Sequence, residues 1–352
     1  MAVRRPSLMF PFHVITGQTA RSIISGSRSE LVKTVEDTYL AHDRGESVNP
    51  NSYFLKFPDK PDSRIIALPA YLGGENDVAG IKWIGSFPGN IESGIPRASA
   101  VLLLNDYTTG YPFACLEASQ ISAARTAASA ALAAERLTGG RRAGTVAVIG
   151  SGIIARNILE FFAAQQWHVD SFAIHDQNPQ YSQALADYTQ QQLGYSAHTA
   201  LRRQEAVSGA DVVILATTAG TPYITEPDDF SAGQVVLNIS LRDIGPEVVR
   251  ESYNILDDIE HCLTAGTSPH LAEQKYGHRG FITGTLADVI KGRAHIGDDK
   301  PVVFSPFGLG VLDLAVGMHV YHLARNAEET VPINDFFAET QRWSPARETT
   351  SA

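Results

Sequence analysis

The stretch that most constrains the fold is Thr145-Val146-Ala147-Val148-Ile149-Gly150-Ser151-Gly152-Ile153-Ile154-Ala155. A β-branched apolar run leads into Gly-x-Gly-x-x-Ala and then into a helical pattern. Strand, tight glycine turn and helix N-terminus, in that order, are what a dinucleotide phosphate site requires. Gly150 permits the turn, Gly152 has no Cβ to block a pyrophosphate, and Ala155 lets the helix pack closely on the strand. Free N–H groups and the positive end of the helix dipole would face the phosphates, with Ile153 and Ile154 in the first turn. Glycine-rich turns are common, so context carries the weight. Ser171-Phe172-Ala173-Ile174-His175-Asp176 reads as the next strand, ending in an acid 24 residues after Gly152. A carboxylate there can accept from both ribose hydroxyls and repels a 2′-phosphate, which points to NAD. The plainer alternative is an ordinary strand–turn–helix with a surface Asp176.

At 352 residues the chain exceeds one ordinary core, so two domains are expected. With 44% hydrophobic and 19% charged residues it falls in the soluble globular class. The formal charge is −10, without a basic block, which argues against a nucleic-acid partner. No run approaches the roughly 20 apolar residues needed to span a bilayer, so no membrane role is expected. The basic start, Met1 to Pro6, is followed by a short apolar stretch broken by Pro11 and His13, a poor secretory signal. Cys115 and Cys262 are the only cysteines, and the 11 histidines form no His-x-x-x-His pair. We therefore expect no protein-bound metal, and a reducing cytoplasm as the setting.

Three zones follow along the chain. Up to about residue 111, a helical pattern at 29–42 accompanies strand-like runs at Tyr53–Phe57, 64–68 and 100–104, an antiparallel sheet with a helix. An alanine-rich segment at 116–137, closed by Thr138-Gly139-Gly140, predicts a long connecting helix. From about 141 to 311, strands alternate with helices: a helix at 181–193, apolar strands at 211–218 and 235–240, and a last one at 301–304. That alternation predicts a doubly wound parallel sheet. The segment Gly310–Asn326 predicts an amphipathic helix returning to the first zone, and Pro345 onward reads as a frayed tail.

Ligands in open parallel sheets sit beyond the carboxyl ends of the strands. The polar residues there are Thr217-Thr218, Ser240 to Asp243, and Ser305 to Gly308. Asp243 can act as a base beside a nicotinamide, or merely cap its loop or pair with Arg242. Gly80-Ile81-Lys82-Trp83-Ile84-Gly85 sets one lysine in an apolar strand. A buried ammonium needs an anion, and a substrate carboxylate would serve; the alternative is an exposed strand face. Arg97 and Arg125 are candidates for bidentate carboxylate binding, or for surface ion pairs. Cys115 reads as a small buried side chain rather than a nucleophile.

These signals, taken together, resemble the ornithine cyclodeaminase/μ-crystallin family over residues 29–326. The match rests on Gly80-Ile81-Lys82 with Pro88-Gly89-Asn90, and on Gly110-Tyr111-Pro112 followed by Glu117. Ala124-Arg125-Thr126-Ala127-Ala128, Gly150-Ser151-Gly152 and the Asp243 loop complete it. Within the family the chain is most similar to the N-(2-amino-2-carboxyethyl)-L-glutamate dehydrogenase branch, through Arg64-Ile65-Ile66-Ala67-Leu68-Pro69-Ala70-Tyr71, Lys82-Trp83-Ile84-Gly85-Ser86, Arg97-Ala98-Ser99, Leu104-Asn105-Asp106 and Leu116-Glu117-Ala118-Ser119.

The resemblance implies an α/β protein: a Rossmann-type doubly wound parallel sheet at 126–311, plus an α+β substrate and dimerisation domain from 1–125 and 312–352. It implies NAD, a small amino-acid substrate and a homodimer. The chemistry implied is hydride transfer to NAD⁺, hydrolysis of the resulting imine, and release of 2-oxoglutarate and L-2,3-diaminopropionate for siderophore or peptide-antibiotic assembly. Lys82 and Arg125 would hold the glutamate-side carboxylate, and Lys82 would shuttle protons. Arg97 would meet a further carboxylate, and Asp243 would deprotonate water or the amine. Arg125, Thr126, Gly150, Gly152, Ile153, Ile154, Asp176, Thr217, Ser240 and Asp243 would surround the cofactor. Cyclodeaminases carry a glutamate where this chain has Ile66, and an arginine in the preceding strand that is not evident here. Both departures argue against cyclising ornithine. Other family chemistry (ornithine cyclodeamination, ketimine or imino-acid reduction) and dinucleotide binding without turnover are the competing readings.

Overall fold

The computed structural model describes residues 10–74 and 77–340. The basic start at 1–6 and the tail expected from Pro345 lie outside the described residues. The described chain forms two eight-stranded sheets. The first runs in the order Val331–Ile333, Phe12–Ile15, Pro112–Glu117, Ala98–Asp106, Val78–Ser86, Lys60–Leu72 and Ser47–Val48, with Tyr53–Phe57 also on Lys60–Leu72. Its neighbours pair antiparallel, except Phe12–Ile15 against Pro112–Glu117. Side chains alternate across it as the strand repeat of two demands: Ala100, Leu102 and Leu104 are buried, and Val101 between them is exposed.

The second sheet is parallel throughout, in the order Ala197–Thr199, His168–His175, Arg142–Ile149, Val212–Leu215, Val235–Asn238, Val302–Ser305, Tyr253–Leu256, Ile282–Thr285. Val212–Leu215 and Val235–Asn238 are buried at every position, as strands covered on both faces must be. Chain order reverses beside Arg142–Ile149, which lies between His168–His175 and Val212–Leu215. A crevice beyond the carboxyl ends opens at such a reversal.

Two helices join the layers. Ser119–Thr138 buries its alanines against Ile153–Ala164 and Val235–Asn238 on one side and Arg28–Asp43 and Ala98–Asp106 on the other. Gly139, in the left-handed conformation, closes it. Gly310–Asn326 lies across Lys60–Leu72, Val78–Ser86 and Ala98–Asp106, and against Arg28–Asp43.

Several expectations shift. Leu116 and Glu117 belong to a strand rather than the alanine-rich helix, because Pro112–Glu117 completes a ladder with Ala98–Asp106. Ladder hydrogen bonds outweigh weak helix propensity there. Gly310–Asn326 is not amphipathic in its first half: Gly310 to Met318 are all buried, because sheet and helices enclose it. The 301–304 strand is the last of its sheet in chain order, as expected, but Tyr253–Leu256 and Ile282–Thr285, which the pattern did not show, lie outside it in space. The boundaries expected at 125/126 and 311/312 fall inside the two shared helices.

Candidate active site

Lys82 leaves Val78–Ser86 on its buried face and is only 2% exposed. Its Nζ donates to Asp313 Oδ2 at 2.6 Å and to Ser122 Oγ at 3.2 Å. Asp313, on the first turn of Gly310–Asn326, is wholly buried. Arg125 Nε donates to the other oxygen, Oδ1, at 3.3 Å. Ser122 and Arg125 lie three residues apart on Ser119–Thr138 and so share one helix face. Two cations thus share one carboxylate, and the cluster keeps a net positive charge. Burial pushes the Lys82 ammonium down to about 8; Asp313 opposes that shift and Arg125 reinforces it.

The wall beside Arg125 admits no side chain. Gly308 has φ +97°, and a Cβ on it would overlap Arg125 Nη1. The Asp257 carboxylate fixes this loop, accepting the N–H groups of Phe307 at 3.0 Å and Gly308 at 2.7 Å, and Cys262 Sγ at 2.8 Å. Lys82, Ser122 and Arg125 border a cavity of about 640 Å³. Leu241 (φ +75°) and Ala265 (φ +53°) also line it. Left-handed backbone at non-glycine residues is costly, and structures retain it where it shapes a site.

A second cavity, of about 920 Å³, lies beyond the carboxyl ends of Arg142–Ile149 and Val212–Leu215 and is bordered by Gly150, Ser151, Gly152, Asp176, Thr217 and Tyr223. Gly150 has φ +90°, and a Cβ on it would stand 2.6 Å from the Ala216 carbonyl oxygen. A Cβ on Gly152, the N-cap of Ile153–Ala164, would meet only open space. Ser151 Oγ is buried with no hydrogen-bond partner among the described residues. The Asp176 carboxylate holds the turn, accepting from Ser151 N at 2.7 Å and Asn178 N at 2.9 Å. A bare helix N-terminus, an open approach at glycine and an orphaned hydroxyl all fit a dinucleotide phosphate.

Asp243, expected as a reacting base, sits behind Thr217 and Tyr223, which line the crevice. It is wholly buried, lines neither cavity, and accepts only from hydroxyls. Thr217 Oγ1 donates at 2.8 and 2.9 Å, Tyr223 OH at 2.9 Å and Ser240 Oγ at 2.9 Å. Burial raises its pKa, and the three hydroxyls oppose the rise. Thr217 and Tyr223 face the crevice from this cage, while Ser240 Oγ also accepts Thr217 N–H at 3.0 Å.

Of the other expected residues, Ile153 is exposed at the start of its helix and Ile154 is half-buried. Thr126 borders neither cavity, its hydroxyl being given to the Ser122 carbonyl at 2.8 Å. Arg97 stands behind the first cavity, its Nε on Ser86 Oγ at 3.2 Å. Sequence reasoning missed Asp313, Asp257 and Arg64, and it treated Arg242 only as a partner for Asp243. Asp313 had a readable signal, as the one acid in the apolar run Gly310-Val311-Leu312-Asp313-Leu314-Ala315-Val316.

Residues 18–328 match the ornithine cyclodeaminase/mu-crystallin family. The N-((2S)-2-amino-2-carboxyethyl)-L-glutamate dehydrogenase of Staphylococcus aureus is 30% identical, over 88% of this chain and 94% of its own length. The alanine dehydrogenase of Archaeoglobus fulgidus is 26% identical, over 88% and 94%. Among solved structures, the Thermococcus litoralis Δ1-pyrroline-2-carboxylate reductase, in complex with NADH and L-proline, superposes with a TM-score of 0.83. It is 23% identical, over 92% of this chain and 100% of that one.

Proposed function

The chain belongs to the ornithine cyclodeaminase/mu-crystallin family, and from that premise we propose an NAD-dependent oxidative cleavage of N-(2-amino-2-carboxyethyl)-L-glutamate. The overall change is substrate, NAD⁺ and water to L-2,3-diaminopropionate, 2-oxoglutarate, NADH and a proton. The observation that carries this reading is the Lys82–Asp313–Arg125 cluster: net positive, buried, and bordering a cavity of substrate size. The Staphylococcus aureus relative and the resemblance of its branch supply the substrate.

Arg125, with Lys82, takes the glutamate-side α-carboxylate, and Gly308 leaves the guanidinium a smooth wall to lie against. The crevice at Gly150, Gly152 and Asp176 would hold NAD⁺, which when bound would supply the acceptor for the substrate's α-hydrogen and its electron pair; the oxidised substrate would carry a carbon–nitrogen double bond. Water then adds to that carbon, and the carbinolamine breaks its C–N bond. Lys82, with its ammonium pushed down to about 8, accepts the proton lost by water and returns it to the departing amine. Asp243 is a positioning residue that orients Thr217 and Tyr223. Gly150, Gly152, Ile153, Ile154 and Asp176 border the cofactor. Ile66 lines the substrate cavity where cyclodeaminases have a glutamate, which supports hydrolysis over cyclisation.

The same reading makes the protein a cytoplasmic homodimer serving siderophore or peptide-antibiotic assembly. Its contact is the outer face of the first sheet, where Trp83 (42% exposed) lies directly opposite Val101 (40% exposed). The test is NADH absorbance with purified protein, NAD⁺ and the proposed substrate, with both products followed by mass spectrometry. Equal amounts of NADH, diaminopropionate and 2-oxoglutarate are expected. Bound cofactor without NADH formation would discard the substrate and favour ornithine or cyclic imines.

A further inference from the structure

The far end of the substrate cavity from Lys82 carries an unexplained concentration of positive charge. Arg64 and Arg242 both line it. Arg97 stands just behind, close enough to Arg64 and Arg242 that their charges add to burial in depressing it; Arg64 acts on Arg242 in the same way. None of the three has a carboxylate partner among the described residues, in a chain whose net charge is −10. Like charges so placed repel, and folding alone gives no reason to gather them.

Local contacts hold these groups in place without neutralising them. Arg242 donates Nε to Gly266 O at 3.1 Å and Nη2 to Ala265 O at 2.8 Å. Arg97 donates to Ser86 Oγ. The Arg64 side chain makes no hydrogen bond among the described residues, and its Nε is buried without a partner. Ser52 Oγ, on the same cavity, is likewise buried and unsatisfied. By register Ser52, next to Tyr53 opposite Ala67, lies toward the Lys82 end, so at the far end it is the orphaned Nε of Arg64 that marks a missing acceptor.

The register gives the span. Arg64 pairs with Ser86 and Leu68 with Lys82, so Arg64 and Lys82 lie four residues apart on neighbouring strands. At roughly 3.3 Å per residue their Cα atoms are on the order of 13 Å apart, a gap that long side chains narrow. Alternation puts both on the same face. We propose that Arg64 and Arg242, backed by Arg97, form a second anion subsite that takes the side-chain carboxylate of a dicarboxylic substrate whose α-carboxylate lies at Lys82 and Arg125. The assignment rests on reading this cavity as the substrate site. It makes the enzyme selective for a glutamate-type skeleton over a monocarboxylic one, because an arm without an anion would leave the arginines uncompensated.

The test is calorimetric titration of the NADH-loaded enzyme with 2-oxoglutarate and with 2-oxobutyrate, which lacks the second carboxylate. The wild type should bind 2-oxoglutarate at least tenfold more tightly. Arg64→Gln and Arg242→Gln should each remove most of that preference and leave 2-oxobutyrate binding within about twofold, while Arg64→Lys restores part of it. Equal binding of the two acids by the wild type overturns the proposal, as does a preference that survives both glutamine variants. If a variant fails to fold, the wild-type comparison still decides. Failure of the catalytic reading looks different. A retained preference without oxidation of N-(2-amino-2-carboxyethyl)-L-glutamate sinks the reaction and keeps the subsite. Turnover without the preference does the reverse.

Discussion

Asp313 and Asp243 are both wholly buried beside the same active site, yet they are satisfied in opposite ways. Asp313 meets two cations, Lys82 and Arg125. Asp243 meets three hydroxyls and no cation. Burying charge is costly, and ion pairing and hydrogen bonding are the two ways to offset it. The first leaves surplus positive charge at the wall of a cavity, ready for an anion. The second leaves no surplus charge but fixes the hydroxyls. Thr217 and Tyr223 turn their hydrogens toward Asp243, so the lone pair of Thr217 that the Ala219 N–H (3.2 Å) leaves free, and those of Tyr223, face the crevice as acceptors. On the proposed reading, one aspartate equips the reacting end and the other the holding end.

Lys82→Met should give the largest effect. Methionine fills much of the lysine volume in buried surroundings, so the fold should survive, while kcat/KM should fall by about 10³ or more, roughly 4 kcal/mol. Steady-state rates beside a thermal melt would check this, and a loss below tenfold would remove Lys82 from the reacting end. Asp313→Asn comes next. It leaves two buried cations without their counter-charge and should cost about 3–5 kcal/mol of stability in urea unfolding. Its kcat/KM should fall by about 10².

The pH profile sharpens the comparison. As proton acceptor Lys82 must be neutral, with Arg125 left as the cation that holds the carboxylate, so kcat/KM should rise with pH and level off above about 8. Asp313 favours the charged lysine, so in Asp313→Asn the rising limb should move to lower pH. Lys82→Arg should lack the limb altogether. A limb that moves up in Asp313→Asn would mean that another group titrates.

Most of the candidate cofactor end was legible in the sequence because local rules dictate it. The turn at Gly150 and the acid at Asp176 lie on consecutive strand–turn segments, where spacing alone carries the message. The substrate end was half legible. Lys82 was visible as a charge in an apolar strand, but its partner lies 231 residues away on a helix from the other end of the chain. No period or spacing links them. Arg64 and Arg242 were hidden for the same reason, since only the closed cavity brings them onto one wall. Leu116 and Glu117 were misread because a ladder with Ala98–Asp106 outweighed the alanine-rich pattern that follows them.

The smallest effect, and the one that most directly tests the contrast, belongs to Asp243→Asn. Asp243 Oδ2 accepts from Thr217, Tyr223 and Ser240, whereas Oδ1 accepts from Thr217 alone. An asparagine that keeps its oxygen at the crowded Oδ2 position puts its NH₂ at Oδ1. Tyr223 and Ser240 can go on donating. Thr217 can go on donating to Oδ2 at 2.9 Å, but it also accepts from that NH₂, and with the Ala219 N–H already on its other lone pair at 3.2 Å it has none left for the crevice. One misdirected hydrogen bond is worth about 1–1.5 kcal/mol, or roughly a tenfold weaker dinucleotide affinity. NADH titration by fluorescence should show that loss, with kcat within a few-fold of the wild type. Thr217→Val should match it, because both variants remove the same acceptor. A collapse of kcat to the level of Lys82→Met, with NADH affinity intact, would make Asp243 a reacting base after all, and the division between a charged reacting end and a neutral holding end would fail.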